Sequence, residues 1–376
     1  MPTHKIIIIS NTVFNLVNFR KNLISTLVDK DFDVVAVAPL DDYISNLDNL
    51  KCKLEIIPSA SRKVHVLNDI LLIFRYFVIF SRVKPDIVLS YTSKPNIYGS
   101  LVARVLGISI VNNISGLGTP FIQGGWLEYI VGLLYKISLK KSKYVFFQNK
   151  DDQKIFIDNN FVSSKEVGVI PGSGIDLTYF LPDVSTSNID KRNVVFLLIA
   201  RMMRDKGIEE FVEAARKIKK SYKNVSFQLL GYIDIKSKVA ISVNDIKSWE
   251  NEGIIEYLGH TEDVRPFIAM ADCVVLPSYR EGTPRSLLEA ASMGKPIIAT
   301  NVAGCKEVVD DGINGYLCDA YNSDDLAHKM QHILALDSIS IEKMGMASRK
   351  KMENEFDEKI VINKYLSVIN GIIGHK

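Results

Sequence analysis

Two glutamates eight positions apart, Glu281 and Glu289, flank a predicted helix start in the segment REGTPRSLLEAASMGKPIIATNVAG. Thr283 is predicted as the N-cap of that helix and Pro284 as its first residue, where the missing N–H of proline costs nothing. The unpaired N–H groups of a helix start bind anions, whereas a carboxylate accepts hydrogen bonds from two neighbouring hydroxyls. The spacing therefore predicts a phosphate at the helix start with a sugar on either side. A capping segment followed by a surface glutamate would give the same pattern.

A second pair of charged residues, Arg201 and Lys206, follows the apolar run VVFLLIA, which is predicted to be a strand. Because the carboxyl ends of parallel strands meet at one edge of a sheet, both cations should lie at the same edge as Glu281. Two positive charges suit a diphosphate and stabilise it as a leaving group. An isolated R-x4-K pair could instead be two solvated charges in a loop. The position of this pair at the end of a predicted strand favours a binding site over that alternative.

Short apolar, β-branched runs alternate with helix-length segments along the chain, which is typical of parallel sheets covered by helices on both faces. The predicted strands are Lys5–Ile9, Val34–Ala38, Ile87–Ser90, Ile110–Asn113, Val145–Gln148, Val194–Ala200, Ser226–Leu230, Ile254–Leu258, Cys273–Leu276 and Pro296–Ala299.

A segment rich in Gly, Pro, Ser and Asp, residues 171–193, interrupts this alternation and has the composition of a linker. The sequence thus predicts an α/β protein of two doubly wound, Rossmann-like parallel-sheet domains that face each other across a ligand-binding cleft. The first domain should span residues 1–180 and the second residues 190–355. A helix in residues 356–376 should pack back on the first domain.

Three segments of the chain, ARMMRDKGIEEF, LPSYREGTPRSLLEAASMGKPIIATNVAG and IPGSGIDLTYFLP, resemble glycosyltransferase family 4, the retaining enzymes of the GT-B fold. The resemblance covers nearly the whole chain. It implies that Arg201 and Lys206 hold the diphosphate of a nucleotide-sugar donor, that Glu281 contacts the transferred sugar, and that Glu289 binds the ribose. It also implies front-face substitution, in which the departing phosphate helps to deprotonate the acceptor and no protein nucleophile is needed.

The rest of the donor site is expected around these four residues. The backbone of the EGTP segment should hold the distal phosphate. The further donor-binding residues are predicted to be Gly282, Thr283, Pro284, Gly231 and His260.

Four segments of the first half, NTVFNLVNFRKNLI, YTSKPNIYGSL, NNISGLGTPF and VFFQNKDDQKIF, are similar to bacterial enzymes that extend lipid-linked O-antigen, capsule or N-glycan precursors. This resemblance implies a saccharide on undecaprenyl diphosphate as acceptor, and often an N-acetylhexosamine as the transferred sugar. The chain departs from the wider family in two places: it lacks a glycine pair after the first strand, and it has SGLG where many members carry a histidine. Acceptor-binding residues are therefore predicted from position and charge alone; they are Asn11, Asn15, Arg62, Lys94, Ser115 and Gly116.

The composition is that of a globular protein, with 47% apolar and 24% charged residues in a chain of 376 and a net charge of +3. So small a charge argues against a dedicated nucleic-acid binder. Residues 51–150, however, hold 14 Lys/Arg and four Asp/Glu, so part of the surface should be basic. Residues 61–84 mix basic, apolar and aromatic side chains and could contact an anionic membrane. A buried helix with basic ends is the alternative.

No metal or other cofactor is expected, since the nucleotide sugar is a substrate. The D-x-D motif at Asp29–Asp33 is interpreted as a turn at the amino end of a strand, and H-x3-H at His328 and His332 lacks the glutamate of a zinc motif. Four cysteines without a C-x-x-C pair, no signal peptide and no ~20-residue apolar run together predict a cytoplasmic protein. If the membrane contact forms, it would be peripheral, on the inner face of the bacterial cytoplasmic membrane.

The sequence thus predicts a retaining, metal-independent glycosyltransferase that moves a hexose or N-acetylhexosamine from a nucleotide-diphosphate donor, UDP ahead of GDP, to an undecaprenyl-diphosphate saccharide. A sugar-nucleotide epimerase on the same scaffold is an alternative, which would need an acid/base pair over the sugar ring and no lipid acceptor. A non-catalytic nucleotide-sugar-binding protein is another. It would have no need to keep all four donor-site residues.

Overall fold

The structure is a computed structural model that describes residues 3–41, 50–58, 66–117, 121, 125–182, 193–235, 237 and 239–374. The chain divides into two compact units. The N-terminal unit comprises Met1–Ser173 together with Lys359–Lys376, and the C-terminal unit comprises Gly174–Glu358. The division falls at Ser173, a few residues before the predicted domain end at position 180.

The N-terminal unit is built on a seven-stranded sheet in the order β3-β2-β1-β4-β5-β6-β7, with every strand pair parallel. Its first strands, KIIII and DVVAVAP, are buried on both faces, as near-continuous apolar runs require. The strands are β1 (Lys5–Ile9), β2 (Asp33–Pro39), β3 (Lys53–Ile57), β4 (Ile87–Tyr91), β5 (Ser109–Ile114), β6 (Tyr144–Phe147) and β7 (Val167–Val169).

Helices cover both faces of this sheet. They are α1 (Val13–Phe19), α2 (Lys21–Asp29), α3 (Val66–Val83), α4 (Ser100–Leu106), α5 (Trp126–Leu139) and α6 (Lys150–Asp158), with a π-helical turn at Pro95–Gly99. Side-chain caps fix some helix starts: Thr12 accepts a hydrogen bond from the Asn15 N–H at α1, and Asn149 accepts one from the Asp152 N–H at α6. The D-x-D motif lies between α2 and β2, at the amino end of a strand, as predicted.

The C-terminal unit contains a six-stranded parallel sheet in the order β10-β9-β8-β11-β12-β13. Its strands are β8 (Val194–Ile199), β9 (Val225–Leu230), β10 (Glu256–Tyr257), β11 (Cys273–Leu276), β12 (Ile297–Thr300) and β13 (Gly315–Cys318). The strand order reverses between β8 and β11, and ligands of open α/β sheets bind at such a reversal. The expectation of two parallel-sheet α/β domains is thereby confirmed.

The helices of the C-terminal unit pack on the two faces of its sheet and bury two apolar clusters. They are α7 (Ile208–Ser221), α8 (Val243–Asn251), α9 (Arg265–Met270), α10 (Arg285–Ser292), α11 (Ser323–Ala335) and α12 (Ser338–Lys351), with a 3-10 turn at Arg204–Lys206 and a π-helical turn at Met352–Phe356.

The last helix, α13 (Glu358–Gly374), belongs to the N-terminal unit from Lys359 onward. Val361, Tyr365 and Ile369 are buried in the cluster that also contains β1 and β4 side chains. The Tyr365 hydroxyl accepts a hydrogen bond from the Asn113 side-chain amide at 2.9 Å, which ties the helix to β5.

Three strands were missed by the sequence reasoning, namely β3, β7 and β13. The first two are an edge strand and a three-residue strand, each only partly buried, so neither has the continuous apolar run that marks a central strand. The third, GYLC, has four residues and begins with glycine, so it also lacks a continuous apolar run. Sequence periodicity carries little information for such elements.

Candidate functional site

The strand-order reversal of the C-terminal unit brings two predicted site residues together. Lys206 ends the 3-10 turn that follows β8, and Glu281 lies in the loop that follows β11. The Lys206 Nζ is 2.5 Å from Glu281 Oε1, and the two side chains are only 14% and 16% exposed. Residues 75 positions apart therefore form one nearly buried ion pair at the carboxyl edge of the sheet.

A third residue fixes the Glu281 carboxylate, and the sequence reasoning missed it. The Ser278 hydroxyl, which is fully buried, donates to Glu281 Oε1 at 2.8 Å. The Ser278 carbonyl in turn accepts a short hydrogen bond from the Thr300 hydroxyl at the end of β12. The signal was available, because Ser278 stands three positions before Glu281 in the turn that leaves a buried strand.

Lys206 keeps its charge in this site because its carboxylate partners outweigh its burial. Burial acts to lower the pKa of Lys206, but the Glu281 carboxylate, by charge and hydrogen bond, and the charge of Asp205 together raise that pKa above its ordinary value. Lys206 is therefore a permanent cation in this site. An incoming anion therefore competes with Glu281 for Lys206.

Arg201 contributes a second cation to the same loop. Its side chain is exposed and follows β8, and its charge lowers the pKa of Lys206, which places the two cations within electrostatic reach. No carboxylate among the described residues pairs with Arg201. The guanidinium is thus available for an anionic ligand.

The helix start after Glu281 differs by one residue from the prediction. Helix α10 begins at Arg285, and Pro284 occupies the N-cap position with φ −73° and ψ 114°, so Thr283 lies one residue before the N-cap. A proline disfavours helical backbone in the residue before it, which moves Thr283 out of the helix. The helix ends at the C-cap Met293, and Gly294 directly after it adopts φ +72°, a left-handed conformation that glycine allows.

Glu289 lies on α10 and is held by a residue that the sequence reasoning did not select. Arg285 Nε donates to Glu289 Oε1 at 3.0 Å, an i,i+4 pair on one helix face. The same guanidinium donates to the Gly174 carbonyl at 3.2 Å. Burial raises the pKa of Glu289, and the charge and hydrogen bond of Arg285 offset only part of that effect.

The raised pKa of Glu289 predicts a pH dependence of stability. Because the pKa of Glu289 in the folded state lies above its ordinary value of 4.5, this carboxyl contributes stability that is present below pH 4.5 and is lost as the pH rises through the folded-state pKa. Relative to Glu289→Gln, the wild type should therefore gain a small amount of stability as the pH is lowered from 7 to 4. Thermal melts over that range measure the difference.

Glu353→Gln is the control for this prediction, because Glu353 is half exposed and pairs with Arg349 in the same i,i+4 arrangement. When the pH is lowered from 7 to 4, the melting temperature of the wild type should not rise relative to that of Glu353→Gln. A wild type that loses stability relative to Glu289→Gln at low pH would contradict the prediction.

Two of the other predicted donor-site residues follow neighbouring strands. Gly231 follows β9 with φ +151°, and a Cβ at this position would lie 1.8 Å from the Ala200 carbonyl oxygen, so only glycine fits. His260 follows β10, is exposed, and makes an edge contact with the Tyr232 ring at 6.2 Å. Both lie along the same carboxyl edge as Lys206, whereas no direct contact of His260 with the Lys206–Glu281 pair is present among the described residues.

Gly304 was missed by the sequence reasoning and controls the backbone of the Glu281 loop. Its φ is +88°, and a Cβ there would lie 2.5 Å from the Glu281 carbonyl oxygen and 2.6 Å from that of Gly282. The Glu281 N–H donates to the Ala303 carbonyl at 3.1 Å. The loop after β12 is therefore in direct backbone contact with the loop after β11 and holds it in place.

The predicted acceptor residues occupy the carboxyl edge of the N-terminal sheet. Asn11 and Asn15 follow β1, Lys94 follows β4, and Ser115 and Gly116 follow β5. No hydrogen bond connects these five within the part of the chain that the structure describes. Arg62 lies outside the described residues.

The structure changes the interpretation of Lys94. Its Nζ is 2.6 Å from Asp69 Oδ1, and both side chains are largely buried, so its charge is already balanced within the protein. A different cation at this edge has no such partner: Arg20 is buried, its guanidinium lies 4.1 Å from the centre of the Tyr91 ring, and no carboxylate among the described residues pairs with it. Sequence reasoning gave no signal for Arg20.

Two family models together match most of the chain. Residues 6–149 match the model described as glycosyl transferase 4-like, and residues 183–351 match the model described as glycosyl transferases group 1. The two matched ranges correspond to the two units of the structure.

Curated relatives are similar over nearly their full length. The chain is 28% identical to the N,N'-diacetylbacillosaminyl-diphospho-undecaprenol alpha-1,3-N-acetylgalactosaminyltransferase of Campylobacter jejuni, with 97% of this chain and 98% of that protein covered. It is 24% identical to the UDP-Gal:alpha-D-GlcNAc-diphosphoundecaprenol alpha-1,3-galactosyltransferase of Escherichia coli, over 88% of this chain and 87% of that one.

Among solved structures, HepE of Anabaena in complex with UDP and glucose superposes with a TM-score of 0.79 at 17% identity, covering 97% of this chain and 98% of that one. At that identity the likeness establishes the fold. It agrees with the two parallel-sheet units described above.

Proposed function

Because the chain belongs to the group 1 glycosyl transferases and is a transferase, we propose that it moves a sugar from a UDP-sugar donor to a saccharide on undecaprenyl diphosphate. The observation that carries this proposal is the Lys206–Glu281 pair at the strand-order reversal, with Arg201 beside it and the start of α10 after it. Cations suit the donor diphosphate, and a carboxylate next to them suits sugar hydroxyls.

The proposed reaction is substitution at the anomeric carbon with retention. The bond from that carbon to the β-phosphate oxygen breaks, the bond to the acceptor hydroxyl oxygen forms, and the hydroxyl proton passes to the departing phosphate. Lys206 and Arg201 stabilise the negative charge that develops on the UDP leaving group. Glu281 orients the sugar by accepting hydrogen bonds from its hydroxyls, and Glu289 accepts them from the ribose.

The acceptor class rests on the relatives. The names of both curated relatives specify a saccharide on diphospho-undecaprenol, and one of them specifies UDP-galactose as donor. We therefore propose an N-acetylhexosamine or a hexose as the transferred sugar and bacterial surface polysaccharide or glycan synthesis as the setting. Since such an acceptor is embedded in a bilayer, the enzyme works at a membrane surface.

The direct test is a transfer assay with purified protein. UDP-linked N-acetylgalactosamine, N-acetylglucosamine, galactose and glucose are each offered with an undecaprenyl-diphosphate monosaccharide, and the lipid product is examined by mass spectrometry. We expect one added sugar from one of these donors. Conversion of the sugar nucleotide without acceptor would instead indicate an epimerase.

Donor binding is proposed to need no metal ion, because the site holds two cations and the described residues contain no cluster of metal-ligating side chains. Calorimetry should therefore give the same UDP affinity with and without EDTA. Removing one charge-assisted contact in Arg201→Ala should weaken UDP binding about 10- to 100-fold.

Arg204→Ala is the matched control for that measurement. Arg204 lies three positions from Arg201, but its guanidinium pairs with Glu209 on the surface, so its loss should leave UDP affinity nearly unchanged. Loss of UDP binding in EDTA would contradict the metal-free site. Tighter binding of GDP than of UDP would contradict the donor assignment.

A further inference from the structure

Exposed apolar side chains are concentrated on two helices of the N-terminal unit. On α3 they recur with helical spacing at Leu67, Ile70, Leu71, Phe74, Phe77 and Val78. On α5 they recur at Trp126, Tyr129, Ile130, Leu133 and Ile137. Trp126, Tyr129 and Leu67 are 75%, 74% and 72% exposed, which is unusual for side chains of this size.

These residues are not needed for the fold, because each helix buries a different face. Leu72, Tyr76 and Phe80 of α3 pack into one apolar cluster of the unit, and Tyr135 and Leu139 of α5 pack into another. When a helix is apolar on its outer face as well as on its inner face, the outer face is expected to contact a second apolar surface.

Both helices cover the same face of the N-terminal sheet. Ile110 and Ile114 stand four positions apart on β5 and so point to one face. Ile110 packs in the cluster that contains α3, and Ile114 packs in the cluster that contains α5. Tyr98 in the π-helical turn touches both clusters. The outward stripes of α3 and α5 therefore belong to one side of the unit, and we call them together the docking face.

Basic residues border the docking face. Lys136, Lys140, Lys141 and Lys143 are exposed within and just after α5, and no carboxylate among the described residues pairs with any of them. The single acidic residue of α5 is Glu128, in its first turn. Trp126 and Tyr129 thus stand at one end of the helix and a row of unpaired lysines at the other.

We propose that the docking face binds the surface of an anionic lipid bilayer, with the aromatic and aliphatic side chains of α3 and α5 inserted at the headgroup level and the four lysines against lipid phosphates. Helices of this kind lie in the interface plane, held by buried apolar area and by attraction to anionic lipid. No described helix is long and apolar enough to cross a bilayer. The choice of a membrane rests on the proposed lipid-linked acceptor together with the charge of the face.

The two tryptophans of the chain provide a direct probe. Trp249 packs against the core of the C-terminal unit, whereas Trp126 lies at the docking face. In Trp249→Phe, Trp126 is the remaining tryptophan. Adding phosphatidylglycerol vesicles without any acceptor should shift its emission to the blue and protect it from a soluble quencher. Phosphatidylcholine vesicles should do so much less.

Two sets of variants test the face by vesicle co-sedimentation. Trp126→Glu combined with Leu133→Glu should abolish detectable binding, while Ile339→Glu combined with Met346→Glu, two exposed apolar positions of α12, should leave it intact. Neutralising the four lysines to glutamine should weaken binding to phosphatidylglycerol on the order of a thousandfold, at about 1 kcal/mol per lysine. The matched charge control neutralises four exposed lysines of the C-terminal unit: Lys220, Lys223, Lys247 and Lys350.

Several outcomes would overturn the proposal. They are absence of wild-type binding to either vesicle, unchanged binding of the Trp126 and Leu133 double variant, and equal binding to neutral and anionic vesicles. A dimer in light scattering that dissociates in the double variant would assign the face to a second copy of the chain instead. Because vesicle binding is measured without donor or acceptor, a failed transfer assay and a failed docking face give separate results.

Discussion

Glu281→Gln should lower kcat by about 10²- to 10³-fold, the usual cost of removing one precisely placed polar group that stabilises a transition state. The amide can still accept one hydrogen bond, but it loses the charge that faces both Lys206 and the sugar. UDP affinity should not fall and is expected to rise, because Lys206, now 2.5 Å from the Glu281 carboxylate, becomes free for the donor diphosphate. Steady-state kinetics and UDP calorimetry measure the two effects separately.

Glu209→Gln is the control for this variant. Glu209 pairs with Arg204 beside the same loop, but its side chain is 40% exposed, so its substitution should change kcat little. Weaker UDP binding together with unchanged kcat in Glu281→Gln would contradict the assignment of Glu281 to the sugar. A near-normal kcat with normal UDP affinity would remove Glu281 from the mechanism.

Gly304→Ala should also cause a large loss of activity, through the backbone. A Cβ at Gly304 would lie 2.5 Å from the Glu281 carbonyl oxygen and must displace the loop that carries Glu281. Because reacting groups tolerate little displacement, we expect a fall in kcat on the order of 10²-fold. Strain in the left-handed backbone region should add a stability cost of about 1–3 kcal/mol. Kinetics and a denaturant melt provide both values.

Gly312→Ala separates these two effects. Gly312 has φ +75°, similar to the +88° of Gly304, but a Cβ there would have nothing within 4 Å. This variant should therefore lose stability from backbone strain while its kcat stays close to that of the wild type. Equal losses of kcat in the two variants would show that contact with the Glu281 loop is not the cause.

The site also keeps two charged side chains balanced in a nearly buried position. The Lys206–Glu281 pair is almost buried, and removing one partner from such a pair leaves an uncompensated charge. Ser278 supplies a further hydrogen bond to the same carboxylate oxygen. When a diphosphate arrives, it can replace Glu281 as partner of Lys206, and Glu281 can turn to the sugar hydroxyls without either charge being left alone.

The sequence by itself determined the central strands and the classes of residue at their ends. Runs such as KIIII and VVFLLI are typical of strands in a parallel sheet covered by helices on both faces, so their positions were predictable to within a residue or two. Residues that follow such strands, including Arg201 and Glu281, were identified because carboxyl ends of parallel strands share one edge. The similarity of longer segments to a known family then supplied their proposed roles.

Only the tertiary structure decided which of these residues meet. The strand order places β8 next to β11, and this adjacency joins Lys206 to Glu281 across 75 positions of sequence. Burial then decided their surroundings: Ser278 became a donor to Glu281, and Lys94 was neutralised by Asp69. Sequence patterns report which face of a strand or helix is apolar, a local property. Pairing between charges depends on strand order and side-chain direction, which long-range packing sets.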